Sequence, residues 1–264
     1  MATQQALKKK TSPEGLRRFN LIMAALHAAQ AVAMVALAKW DVTYPITVSF
    51  LKFDLASQTL KPATETLFDV PLVAPIIVFL LLSSLFHLTI ATVANRRYNS
   101  DLAKGINRFR WIEYALSAST MLVAISLLSG VYDIASLIMI FGLTAIMNLL
   151  GLVMEIHNQT TKKTNWISYW VGCLAGILPW VAIALYFWAA ESFGPAEAQI
   201  PSFVYWIYIS IFVFFNCFAI NMVLQYKKVG KWQDYLYGER MYIILSLIAK
   251  SALAWQVFAG SLRP

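Results

Sequence analysis

Seven apolar stretches of about 19 to 26 residues recur along the chain, separated by shorter polar segments. Each is long enough to cross a hydrocarbon layer about 30 Å thick as an α-helix rising about 1.5 Å per residue. They run from about Asn20 to Ala38, Val70 to Ala94, Phe109 to Gly130, Asp133 to Glu155, Trp166 to Ala190, Pro201 to Tyr226, and Met241 to Leu262. In lipid every backbone polar group needs an internal partner, and a helix supplies one within each segment. The sequence therefore predicts an all-α membrane protein. Residues 1–264 form one seven-transmembrane-helix domain, with 1–19 as a tail. Only 13% of residues are charged, against roughly 25% in a soluble domain. The net charge of +8 does not signal nucleic acid, because the basic residues sit in short clusters between the apolar runs. The expected partner is the lipid bilayer. Cys173 and Cys217 lie inside apolar runs and read as free, packed thiols. The first segment, preceded by Lys8, Lys9 and Lys10, has a rival reading as a signal peptide. Its apolar part, about 18 residues, exceeds the 7–15 of a signal core.

The basic residues also set the topology. The tail and the second, fourth and sixth loops carry sixteen Lys and Arg; the other side carries Lys39, Lys52, Lys61 and Arg263. The positive-inside rule then predicts a multi-pass cell-membrane protein with its N-terminus cytoplasmic and its C-terminus extracellular. The first loop, residues 39–69, is too long to be structureless. Its β-branched and aromatic run from Thr43 to Leu51 predicts a strand, with Thr64 to Val70 returning as partner. The resulting extracellular hairpin reads either as a lid or as a contact between two copies in a homodimer.

One residue of the 21 Lys and Arg is left over: Lys250, inside the last segment. Counted from Met241 it lies roughly 13 Å deep. A charge there is costly and calls for a partner. Glu113 is the one acid clearly within a segment, whereas Asp133, Glu155, Glu191 and Glu239 fall at segment ends where water reaches them. The same depth arithmetic puts His27, His87, Glu113 and Ser246 in one layer, roughly 6–11 Å below the cytoplasmic surface. Ser246 lies four residues before Lys250, on the same helix face. These residues point to one internal polar site. The bland alternatives are a structural ion pair for Lys250 and Glu113, hydrogen-bonded helix contacts for the histidines, and close helix packing for the Gly172–Gly176 pair. Two histidines with one glutamate fall short of a metal site.

Desolvation disfavours the ammonium form of a lysine, and the neutral amine condenses with aldehydes to a Schiff base. A protonated Schiff base needs a counterion, a role open to Glu113. Seven helices, a lysine on the last and a carboxylate on the third match the plan of a retinal protein, a bundle of rhodopsin type. The tracts RWIEYALSAS (Arg110 to Ser119), SSLFH (Ser83 to His87), GCLAGILPW (Gly172 to Trp180), FFNCFA (Phe214 to Ala219) and GERMYIILSLIAKSALAWQVF (Gly238 to Phe258) closely resemble those of heliorhodopsins. The resemblance covers nearly the whole chain, least in the tail and first loop. It implies all-trans retinal on Lys250 with Glu113 as the single counterion, since Ser246 stands where ordinary microbial rhodopsins carry a second carboxylate. It places His27, His87, Ser83, Gln30 and Tyr114 around a polar cavity, with Arg110 three residues before Glu113 on a shared face. It places Met147, Ser119, Pro179, Trp180, Phe215 and Trp255 near the chromophore. Met222 and Thr144 depart from a relative's glutamine and asparagine, which bears on spectral tuning. Heliorhodopsins are inverted relative to other microbial rhodopsins, in line with the charge count.

No carboxylate sits in the outer half of the segments on the route to the extracellular side, so a proton leaving the Schiff base has no acidic route outward. The expectation is a photosensory or regulatory protein with a slow photocycle, no net ion pumping and no enzymatic activity. His27 and His87 are the candidate proton holders, and a cytoplasmic signalling partner is of unknown identity. The alternatives are a light-gated proton channel, or a non-retinal carrier or receptor.

Overall fold

The fold is inside out relative to a soluble protein. Large apolar side chains such as Ile22, Val32, Leu85, Ile138, Leu174 and Trp206 face outward, while Asn20, His27, Ser83, His87, Arg110, Glu113, Ser246 and Lys250 are buried. That distribution suits a chain whose solvent is lipid. The computed structural model describes residues 11–194 and 200–263. Lys8, Lys9 and Lys10 lie outside the described residues.

Among the described residues, seven helices are long and apolar enough to cross a membrane: α1 (Pro13–Leu37), α2 (Val73–Ala91), α4 (Arg108–Leu128), α5 (Ile134–His157), α6 (Ile167–Phe193), α7 (Ser202–Tyr226) and α8 (Tyr235–Val257). The last continues as a short wide turn to Leu262. A further helix, α3 (Asn95–Leu102), lies in the loop between α2 and α4 and was not expected from the sequence. Side-chain caps fix the helix starts. Ser12 accepts from the Gly15 backbone N–H, Asn107 from Arg110, and Asp234 from Leu236, each at 3.0 Å. Two starts precede the expected ones. Pro13 and Asp234 open α1 and α8 about six residues early, so Lys250 is farther from its helix start than the sequence suggested.

The first loop is an antiparallel hairpin, β1 (Thr43–Asp54) paired with β2 (Thr59–Pro71). Val70, expected to begin the second span, belongs to the strand. The register slips between Ile46 and Thr47, where Leu67 is the extra residue of a bulge. At the tip, Lys61 and Ser57 hold the Asp54 carboxyl below the usual carboxylate range. Thr47 N–H donates to Tyr132 O at 2.9 Å, tying the hairpin's base to the turn between α4 and α5.

The hairpin end of the bundle is filled by apolar side chains, including Phe79, Leu122, Ile125, Leu253 and Val257. At the other end, called here the N-terminal face because α1 begins there, polar residues enter the interior. One glycine brings α5 and α6 close: a Cβ at Gly176 would collide with the Met147 sulfur, whereas one at Gly172 would meet Leu150 at an ordinary contact distance of 3.5 Å. Of the GxxxG pair, Gly176 does the close packing that the small-residue pattern suggests.

Candidate functional site

Lys250 is 3% exposed, and its Nζ donates to Glu113 Oε1 at 2.6 Å and to Ser246 Oγ at 2.9 Å. Helical spacing puts Ser246 one turn before Lys250, so the lysine stem folds back along its own helix. Ser83 Oγ lies 2.7 Å from Glu113 Oε1 and 3.0 Å from Phe79 O, and its one proton serves one acceptor at a time. The Lys250 nitrogen also lies 5.3 Å from the Tyr114 ring centroid. The Tyr114 hydroxyl is committed to Tyr242 O at 3.0 Å.

Two histidines stack beside this pair, His27 on His87, with ring centroids 5.6 Å apart. His87 Nδ1 contacts Asn20 Oδ1 at 2.6 Å. The Asn20 amide is oriented by its Nδ2 donating to Leu16 O at 2.8 Å, so Oδ1 faces the imidazole as an acceptor. His87 must then carry its proton on Nδ1, which leaves Nε2 as a basic nitrogen. Neither nitrogen of His27, a fully buried side chain, has a protein partner. Asn20 was not singled out from the sequence. It sits at the expected boundary of the first span, where a polar residue reads as a helix end.

The lysine opens onto a cavity of about 50 Å³ lined by Tyr114, Ser117, Met147, Phe215 and Phe218. A second, of about 150 Å³, shares Tyr114, Met147, Asn148, Phe215 and Phe218 and continues between α5, α6 and α7 to Trp180 and Phe212. Together they form an apolar, aromatic-walled slot with one amine at its end. This suits a long apolar aldehyde: the amine can form the covalent link, and the aromatic walls can enclose a polyene. Ser117, whose hydroxyl has no partner, lines the slot in place of Ser119. The Ser119 hydroxyl is spent on Ala115 O at 2.7 Å. Ser117 could have been found, because it lies four residues after Glu113 on the same helix face. Pro179 is buried beside Trp180 but does not line the slot.

Two sequence expectations are corrected by position. Gln30 lies away from the polar site, on the outer groove between α1 and α8, where it accepts from Trp255 Nε1 at 3.2 Å. Trp255 is 40% exposed on that same groove and lines neither cavity. In helices that are apolar nearly all round, sequence periodicity does not say which way a polar residue faces.

A third correction concerns Glu155 and Glu239, expected where water reaches them. Arg110 shares the Glu113 face of α4 by spacing, yet it does not pair with Glu113. It forms ion pairs with Glu155 and Glu239, both buried rather than in reach of water. Asn107 completes the cluster, its backbone N–H on Glu155 at 2.8 Å and its Nδ2 on Glu239 at 2.5 Å. Trp111 Nε1 donates to Glu155 at 2.7 Å, and the guanidinium lies 3.9 Å from the Tyr242 ring centroid. Glu155 and Glu239 end up inside because α5 runs past Glu155 to His157 and α8 begins at Tyr235. Arg110→Met would strand the buried carboxylates without their cation. The expected cost is about 3–5 kcal/mol, read as a lower midpoint in denaturant or thermal unfolding of the detergent-solubilised protein.

The cyanorhodopsin from the cyanobacterium Tolypothrix sp. NIES-4075 shares the fold, with a TM-score of 0.61, 13% identity and 96% of each chain covered. The architecture is therefore that of the rhodopsins. Residues 16–262 match the family model described as heliorhodopsin, and the chain belongs to the heliorhodopsin family. No curated protein matches the sequence. As a member of that family the chain is a multi-pass, light-sensing membrane protein with a retinal chromophore.

Proposed function

We propose that this heliorhodopsin is a photosensor in which Lys250 carries all-trans retinal, Glu113 is the only carboxylate counterion, and the photocycle moves a proton within the bundle without net transport. The observation that carries this reading is the buried Lys250–Glu113 contact of 2.6 Å at the end of the aromatic slot. Retinal, when bound, supplies the light-driven isomerisation that changes the surroundings of the Lys250 nitrogen. The protein side of the chemistry is proton holding. Glu113, with Ser83 donating to it, is the nearest acceptor for the Lys250 proton. Behind it, Nε2 of His87 and the unpartnered His27 can hold that proton. In the other direction the interior is lined largely by apolar side chains such as Phe79, Leu122, Ile125 and Leu253, and among the described residues it buries no carboxylate or histidine. A proton that leaves Lys250 therefore returns along the path it took, with the slow recovery that suits signalling.

The orientation we propose, N-terminus cytoplasmic and C-terminus extracellular, rests on the sixteen-to-four distribution of Lys and Arg. The hairpin would then be extracellular. Its exposed Leu51, Phe53 and Leu60 support a homodimer built around this element. A cytoplasmic signalling partner would meet the basic loops that hold Arg96, Arg97, Lys162 and Lys163. Illuminated cells expressing the protein should show no change in external pH that protonophore abolishes, and no steady photocurrent under voltage clamp. A protonophore-sensitive pH change would indicate a pump, and a photocurrent would indicate a light-gated channel.

A further inference from the structure

The interior charges do not balance. Lys250 and Glu113 cancel, but Arg110 stands alone against Glu155 and Glu239, and all three side chains are 3% exposed or less. Among the described residues neither glutamate pairs with a second cation. A surplus negative charge in a poorly solvated site is costly, and two carboxylates around one cation relieve it by holding a proton. The surrounding donors indicate which carboxylate holds it. Glu155 accepts from Arg110, from the Asn107 backbone and Trp111 Nε1 on one oxygen, and from Tyr235 at 3.3 Å, all of which stabilise an anion. Glu239 accepts only from Arg110 and Asn107 at short range. Its remaining neighbour, the Tyr98 hydroxyl at 3.5 Å, can accept a hydrogen bond as well as donate one.

The cluster adjoins the Lys250 site. A cavity of about 30 Å³ is lined by Glu239 and Arg110 together with Asn20, His87 and Glu113. That is room for a water molecule. Among the described residues Arg110 Nε has no partner for its proton.

We propose that the Arg110–Glu155–Glu239 cluster is a proton-binding site, with the proton on Glu239 in the dark protein, joined through this cavity to His87 and Glu113. Exchange across the cavity moves one proton from the Glu239 carboxyl to His87 Nε2. It leaves a carboxylate against Arg110 and an imidazolium beside Glu113. The exchange rests on the functional reading above, whereas the resting proton on Glu239 rests on charge balance alone.

The test is infrared absorption of the purified, retinal-loaded protein in the dark, in H₂O and D₂O, comparing wild type with Glu239→Gln and Glu155→Gln. The wild type should show a carboxylic-acid C=O band that shifts in D₂O. Glu239→Gln should lose it because the carrier is gone. Glu155→Gln should also lose it, because Arg110 and Glu239 then balance as an ion pair. The proposal is overturned if the wild type lacks the band, or if the band survives either substitution. The visible spectrum of the same samples keeps the two readings apart. A missing visible band beside an intact infrared band counts against retinal on Lys250, and the reverse counts against the proton on Glu239.

Discussion

Lys250→Ala abolishes the visible absorption band when the protein is supplied with all-trans retinal, a complete loss rather than a shift. Every other described lysine lies outside the seven spans, so among the described residues no second amine reaches the aromatic slot. Shape alone could still hold retinal in the slot, but unlinked retinal lacks the cationic nitrogen that brings its absorption into the visible. Removing the lysine also leaves Glu113 buried with Ser83 as its only remaining short-range donor. An uncompensated buried charge costs about 3–5 kcal/mol, unless the carboxyl takes up a proton. The absorption loss should therefore be read beside helix content and elution volume, which report folding. A visible band in a folded Lys250→Ala protein would remove the lysine from its proposed role.

Glu113→Gln should have the second-largest effect. A close ion pair at an intermediate effective dielectric is worth about 4 kcal/mol. Losing it biases the Lys250 nitrogen toward its neutral form by roughly a thousandfold. At neutral pH much of the population should then absorb in the near ultraviolet. The protonated fraction recovered in acid should absorb at longer wavelength than wild type. The counterion favours positive charge near the nitrogen, and without it that charge spreads along the polyene and narrows the excitation gap. Ser246, Ser83 and the neutral histidines cannot replace a carboxylate. A pH-titrated spectrum of Glu113→Gln that matches wild type would mean another anion faces Lys250.

The seven helices were legible because each is an unbroken apolar run of spanning length, and the hairpin because Thr43 to Leu51 is β-branched and aromatic where a loop should be polar. The proximity of Lys250 and Glu113 could be read from scarcity, since a lone basic and a lone acidic residue inside spans have few other partners. What stayed hidden followed from helix ends and helix faces. Gly238-Glu239-Arg240 looks like a loop, yet the Asp234 cap starts α8 before it and carries Glu239 inward. Arg110 and Glu113 share a face by spacing, but a long guanidinium can turn toward the N-terminal face, where two carboxylates converge. Gln30 points outward although the sequence allowed either direction.

Covalent trapping would identify the residue that bears retinal. Borohydride would reduce the lysine–retinal link to a stable secondary amine, and mass spectrometry of the digested protein would locate the added retinyl group. The adduct is expected on Lys250 and on no other lysine. Retinyl on a different residue, or no adduct from a protein that absorbs in the visible, would contradict that assignment.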